Sequence, residues 1–506
     1  MTELTPAART RLFWACFIAL VTTAFAFMLR VQLMGTWEDD FALDKTQVGT
    51  ILGAGFWPFG VSIVLFSLVL DRIGYGRAMV FAFLCFVSFA LLSIFATGFS
   101  MLYWASILGG LGAGTVEAVI NPLIADIYKD NKTKWLNILH AGWPGGLVVT
   151  GIVVLGIGDA MSWKWQIALI LIPACIFGVM MLGMKFPVSS RVLAGVSYRD
   201  MLAQVGWGGA FIVSLMIVME LTTNVLGIES LQNIWAQVGI AAVIAAIYGA
   251  YARSFGRPIF VFLLVVMLAL ATTELGTDAW VKDLLKPALN SAMGIDSGWV
   301  LVYTATIMMV LRFSCGPLIG ALKPLGVLAA SAAVVTVGIW WLAILADDLA
   351  VGAMVILLAA TIYGIGQTFF WPTTLGFVSE QFPRGGAMAL NLIAGVGMLG
   401  VGVLGSPWLG NVQDTRVVEA LQASNPTIAA EYITPEKPSL FGSYASLTPE
   451  AATAPPEHAE YIAQAQRAGK ADALAAVSIL PIFMLVSYLG LIAYYRSRGG
   501  YRPVEL

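Results

Sequence analysis

Residues 114–122 read GTVEAVINP, and residues 364–372 read GIGQTFFWP. Laid together, Gly114 faces Gly364, Glu117 faces Gln367 and Pro122 faces Pro372, all at one constant offset. A little further on, Leu136-Asn137 returns as Leu390-Asn391, and Asp71-Arg72-Ile73-Gly74 has a worn counterpart in Lys323-Pro324-Leu325-Gly326. Each match alone is slight. Their shared order and near-constant spacing make an internal duplication the better account.

The surroundings of these stretches decide what kind of duplication it is. Of 506 residues, 59% are hydrophobic and 11% are charged, against about 25% charged in an average soluble domain. Too little polar surface exists to face water, so lipid must cover much of the chain. Apolar stretches of roughly 20 residues, the length that spans a bilayer, are predicted near 12–35, 47–70, 78–98, 101–126, 136–157 and 164–185. Two follow at 204–222 and 233–251, then six at 258–279, 298–321, 325–346, 351–377, 387–409 and 474–495. Lipid cannot satisfy open backbone groups, and these stretches are too long for barrel strands, so all fourteen are read as helices. The first is expected to be retained, since no small-residue cleavage site follows it.

The expected organisation is an all-α membrane protein of two six-helix bundles. Residues 1–190 form the first, 191–257 carry an inserted helix pair, and 258–506 form the second, including an external loop at 410–473. Most of the 27 basic residues, among them Arg9, Arg11, Arg72, Arg77, Lys129, Arg384 and Arg496, fall on one side if both termini are cytoplasmic. The 410–473 loop is read as a flexible cap whose last part, from Pro456, extends the final helix. Cys16, Cys85, Cys175 and Cys315 all lie in spans, at spacings that suit neither a disulfide framework nor a zinc site.

Ionisable side chains inside a span are costly, so each needs a partner or a watery cavity. Glu117 lies mid-span, where a carboxylate can bind and release protons or hold a substrate; the bland reading is a permanent pair with an arginine. Arg30 is a candidate for that pair or for snorkelling to the interface, and Gln32 lies beside it. Arg312 is mid-span in the second half. Glu274 and Asp278, four apart on one face, either line a vestibule or, for Asp278, cap the helix in water. His140 is the one histidine in a span. It shares a face with Asn137 and precedes Pro144-Gly145-Gly146, a run that bends or thins its helix as a hinge requires. Asn121, Gln367 and Asn391 add hydrogen-bonding groups, and Trp57, Trp143, Tyr363 and Trp371 offer flat faces on which a sugar ring stacks or against which neighbours pack.

No phosphate-cradling loop, metal-ligand cluster or nucleophile elbow is present in the sequence. No cofactor, resident metal, nucleic acid or enzymatic activity is therefore expected. An ion gradient, or the gradient of the substrate itself, would supply the energy for moving a small molecule. A membrane-embedded transferase or a nontransporting receptor is the remote alternative.

The run Ser67-Leu-Val-Leu-Asp71-Arg72-Ile-Gly74-Tyr-Gly-Arg77 resembles the loop motif of the major facilitator superfamily between its second and third helices. In that family the motif is a conformational latch, which implies latch roles for Asp71, Arg72, Gly74 and Arg77, with Asp71 engaging the helix beginning near Gly385 beside Arg384. A narrower resemblance, to the fucose–galactose–proton symporter branch, rests on Glu117-Ala-Val-Ile-Asn121-Pro122 and on Leu136-Asn137-Ile-Leu-His140-Ala-Gly-Trp143-Pro144-Gly-Gly146. It implies proton-coupled uptake of a sugar or similar polyhydroxy metabolite, with Glu117, Asn137, His140 and Trp143 facing the cavity; in this chain the coupling is expected at Glu117 and His140, and the chain is expected to act as a monomer. The branch carries an acid in its first helix where this chain offers Arg30 and Gln32, and glutamine where it has His140. A uniporter, or a carrier of organic anions or sugar acids held by Arg30 or Arg312, is the alternative.

Overall fold

The computed structural model describes residues 4–43, 45–157, 160–278, 298–346, 352–436 and 439–506; the expected span ends at 279 and 351 lie outside these. Thirteen helices among them are long and apolar enough to cross a membrane. The fourteenth span is built in two pieces. Gly298–Phe313 is short, but after a break at Ser314 the next helix, Gly316–Ala346, turns back at Lys323, whose φ of 58° no helix tolerates. Residues up to Leu322 thus complete the tenth span, and those from Pro324 form the eleventh. The fold class is as expected: all-helical, with two six-helix bundles and an inserted pair.

Arginines near the amino terminus tie the first span (Pro6–Phe41) to its neighbours. Arg9 donates to the Ile127 carbonyl at the end of the fourth span, Phe99–Ile127, and Arg11 donates to the carbonyls of Val179, Met180 and Leu182 at the end of the sixth. Cations belong there, because the last turn of a helix presents unpaired carbonyls and negative dipole charge. In the inserted pair, Tyr198–Glu220 kinks at Gly206 (φ 62°), and the freed N–H groups of Trp207 and Gly208 find the carbonyls of Ser254 and Phe255. Its partner, Ile234–Ala252, buries only Gln237, Ala241, Ala245 and Ala252, leaving most of its surface to lipid.

The 410–473 stretch departs from expectation. It is not an irregular cap: Ser406–Ser424 prolongs the thirteenth span, Pro426–Tyr432 is a further helix, and Pro456–Val477 leads into the last span. Val417, Leu421, Ile428, Tyr432, Ile462 and Ala465 close a small core of their own. The extension of the final helix from Pro456 is as predicted.

Candidate functional site

Prolines inside three spans set up the site. A proline has no N–H, so the carbonyl four residues earlier loses its helical partner. Pro122 frees the Ala118 carbonyl, Pro144 that of His140 and Pro372 that of Thr368. In a membrane such a group needs a replacement, and polar side chains of the second half supply all three. Asn391 Nδ2 donates to the Ala118 oxygen at 2.9 Å. Arg312 donates through Nη1 to the His140 oxygen at 2.8 Å and through Nε to the Thr368 oxygen at 2.7 Å. The matched prolines of the repeat, Pro122 and Pro372, thus do the same job in the two halves.

The third contact of Arg312 is ionic: Nη2 lies 3.1 Å from Glu274 Oε1, both side chains being almost wholly buried. Glu274 sits in a π-helical turn, Thr272–Gly276, a local unwinding common at functional sites. The other Glu274 oxygen, Oε2, is buried without a partner. Facing it from the first half, Asn121 Nδ2 donates to Glu117 Oε2 at 2.7 Å, one helical turn away. The Asn121 oxygen accepts from His140 Nε2 at 2.8 Å, so that nitrogen carries the proton. Glu117, His140, Trp143, Glu274, Arg312 and Trp371 line one narrow cavity of about 30 Å³, with Phe59, Leu275 and Met398 as its apolar walls. A buried ion pair is poor evidence for stability. Two carboxylates and one guanidinium around shared space can instead exchange partners with an incoming proton or ligand.

A third carboxylate stands next to it. Asp278 Oδ1 accepts from the Tyr363 hydroxyl at 2.9 Å and from Gln367 Nε2 at 3.1 Å, while Gln367 Oε1 is buried unpaired. Asp278 is therefore no simple helix cap in water. Near a span end water would suffice as its partner, but Tyr363 and Gln367, one turn apart on Ala353–Gln367, take that place.

Below the cavity, one face of Lys132–His140 ladders onto the other half. Asn137 Nδ2 donates to Thr373 Oγ1 at 3.1 Å. A turn further, Thr133 donates through its hydroxyl and, at 3.4 Å, its N–H to Glu380 Oε1. Lys132 Nζ reaches the Ser379 carbonyl at 3.1 Å. Gly376 makes this approach possible, since a Cβ there would stand 2.6 Å from Thr133 Cα. These contacts close the halves at the end of the bundle where both termini lie, Arg9 reaching the Ile127 carbonyl and Tyr501 donating to Glu380 Oε2 at 2.6 Å.

Other sequence candidates lie elsewhere. Arg30 is buried but does not snorkel: Nε donates to the Ala26 carbonyl, Nη1 to that of Ser106, and its guanidinium lies over Gly55, away from Glu117. Gln32 and Trp57 are half-buried and off the cavity wall. Asn391 joins the halves, as above. At the loop motif, Asp71 does not engage Arg384, which is exposed. Its partner is Arg191, at 3.1 Å from Nε and in direct contact with Nη2. The Arg191 side chain packs on Gly386, so Asp71 is linked to that helix through an arginine the motif does not contain. Arg72 stacks over the Tyr198 ring, and Gly74 takes the positive φ (83°) that begins the third span. Arg77 is exposed.

Residues 12–406 match the family model described as Major Facilitator Superfamily. A hexuronate transporter of Bacillus subtilis (strain 168) is 28% identical over 144 residues, which is 28% of this chain and 34% of that protein. A D-xylose transporter of Levilactobacillus brevis is 25% identical over 187 residues, 36% of this chain and 38% of that one. The matches thus span little more than a third of these relatives. Among solved structures, the proton:xylose symporter XylE bound to 6-bromo-6-deoxy-D-glucose shares the fold with a TM-score of 0.61 at 12% identity, covering 96% of both chains. The E. coli fucose:proton symporter does so with a TM-score of 0.53 at 13% identity, over 93% of this chain and 98% of that one.

Proposed function

This chain belongs to the Major Facilitator Superfamily and is a multi-pass membrane carrier of a small molecule rather than an enzyme, and we propose that it couples uptake of a sugar or related polyhydroxy metabolite to protons by alternating access. The observation that carries this reading is the buried cavity shared by Glu117 and His140 of one half with Glu274 and Arg312 of the other. Proton transfer to Glu117 would loosen its bond to Asn121 and so disturb the His140 contact, while Trp143 and Trp371 offer stacking faces. Asn121, Asn137, Tyr363, Gln367 and Asn391 supply the hydrogen bonds that hold or surround the substrate. Both termini are proposed to be cytoplasmic, with Asp71–Arg191 as the inner latch, the chain acting as a monomer of bundles 1–190 and 258–506 around the 191–257 insertion.

Arg312 favours a second reading, a carrier of sugar acids. The guanidinium lies in the cavity, and a relative is named a hexuronate transporter. A substrate carboxylate would take the place of Glu274 on Arg312, with a proton on the displaced Glu274. Proteoliposomes with an imposed pH gradient, offered D-xylose, L-fucose or D-glucuronate, test both. Accumulation that follows the gradient supports symport, and which probe accumulates chooses between the readings. Transport of any of them that ignores the gradient removes proton coupling.

A further inference from the structure

A second cavity lies on the outer wall of the bundle, between the third span (Tyr75–Ile94) and the helix Leu171–Met181 of the sixth. It is an open cleft of about 550 Å³ whose walls are apolar side chains and glycines, chiefly Met79, Phe83, Leu84, Phe177, Gly178 and Leu182. Phe83 and Phe177 meet edge to face at 6.1 Å at its back. Leu84 and Leu182 at its lips are more than half exposed. A cleft of this chemistry on a membrane-spanning surface admits a hydrocarbon chain and excludes water.

Its mouth has a different character. Gly76 has no side chain, and the Phe186 ring lies so close that a Cβ on Gly76 would stand 2.9 Å from it. That contact brings the segments 75–77 and 184–186 together, with Tyr75 and Phe186 rings 6.5 Å apart. Arg77 and Lys185 flank the contact. Both are exposed, and among the described residues neither forms an ion pair or side-chain hydrogen bond. Three nearby cations are engaged, Arg9 and Arg11 on helix carbonyls and Arg191 on Asp71. No acid competes from the flanking chain, because residues 72–116 and 160–199 contain no Asp or Glu. Two exposed cations, each next in the chain to a wall residue of the apolar slot (Gly76 and Phe186), therefore stand at its edge.

We propose that this cleft is a binding site for an anionic phospholipid, one acyl chain lying against Phe83 and Phe177 and the phosphate held between Arg77 and Lys185. A zwitterionic lipid fills the slot equally well but gains little at the mouth, because its own ammonium offsets the phosphate. The cations should therefore impose headgroup selectivity of roughly fivefold each, or roughly thirtyfold together. The proposal does not depend on what the carrier transports.

Cys175 gives the site a local probe. It lines the cleft and is exposed, whereas Cys16, Cys85 and Cys315 are buried. Detergent-purified, delipidated protein is titrated with phosphatidylglycerol or phosphatidylcholine of identical chains, and two quantities are read: lipid adducts by native mass spectrometry, and the rate of Cys175 alkylation by N-ethylmaleimide. Phosphatidylglycerol should bind first and slow alkylation at concentrations roughly thirtyfold lower than phosphatidylcholine. The double variant Arg77→Gln/Lys185→Gln should bring the two lipids to parity without changing phosphatidylcholine protection, which also shows that the variant is folded. Leu84→Trp, which fills the slot, should abolish protection by both. Equal protection in the wild type overturns the headgroup assignment. A preference that survives the double variant, or adducts that leave Cys175 unprotected, places the lipid elsewhere and overturns the site.

Discussion

Replacing Arg312 by lysine keeps the charge and removes the geometry, so it isolates what the guanidinium does. A lysine ammonium can still face Glu274, now 3.1 Å from Nη2. It cannot at the same time reach the His140 oxygen, 2.8 Å from Nη1, and the Thr368 oxygen, 2.7 Å from Nε, which lie in different spans. Pro144 and Pro372 ensure that neither carbonyl recovers a helical N–H. A buried acceptor left without a donor costs about 1–3 kcal/mol, so Arg312→Lys should destabilise the closed structure by about 2–6 kcal/mol. The companion change is Pro144→Ala. The N–H of Gly145 already bonds to the Ala141 carbonyl at 3.0 Å, so an alanine N–H at 144 falls in register for the His140 oxygen. On the Arg312→Lys background it should recover about 1–3 kcal/mol, the share of one carbonyl. Thermal unfolding of the four proteins in detergent completes the double-mutant cycle. The account is refuted if Arg312→Lys is as stable as the wild type, or if the two changes are simply additive.

Gly376→Val should prop the halves apart at the termini end, because its side chain would occupy the space of Thr133. Spin labels on Lys129→Cys and Arg384→Cys, in a Cys175→Ser background, should then report longer distances; an unchanged distribution would mean that the Thr133–Glu380 contact is not the gate. Glu117→Gln should abolish uphill accumulation in proteoliposomes while sparing counterflow, and intact accumulation would reassign Glu117 to structure. Asp71→Asn leaves the buried Arg191 guanidinium without its counter-ion, at an expected cost of about 3–5 kcal/mol. Replacing both residues by Leu and Met should return most of that stability; a harmless single variant would show that the pair contributes nothing to closure.

What the sequence made legible follows from what a membrane forces into composition. Span number, the repeat and the rarity of mid-span charge all come from the cost of polar groups in lipid, which leaves its mark residue by residue. That is why Glu117, His140, Glu274 and Arg312 stood out, and why the structure finds them around one space. Partners are another matter. Arg191 looks like any basic residue of a connecting loop until the fold brings Asp71 to it. Asp278 sits where water would suffice, and Arg30 where an interface would, so neither position betrays its neighbours. The 410–473 segment does carry a signal: Val417 and Leu421, then Ile428 and Tyr432, then Ile462 and Ala465, pair at helical intervals within their own helices. Its many prolines and acids obscured that rhythm, because they fall in the connections between its helices and on their outer faces.

Thr133, Asn137 and His140 lie at i, i+4 and i+7 of one short helix, and therefore on a single face. Each touches the second half: Thr133 at Glu380, Asn137 at Thr373, and the His140 carbonyl at Arg312. The uppermost of the three belongs to the cavity and the lowest to the closed end. Because a helix is stiff over two turns, the rungs do not open independently. Any event that draws Arg312 away from the His140 carbonyl, such as a ligand competing with Glu274, removes the top rung and loads the two beneath it. Conversely, separation at Thr133 tilts the same helix and carries the His140 carbonyl off Arg312. Pro144 is what makes this linkage available, since a residue with an N–H at that position would have kept the carbonyl inside its own helix. Under the proposed alternating access, coupling between cavity and closed end would be carried by one missing backbone donor and the three side-chain and carbonyl contacts along a single helical face.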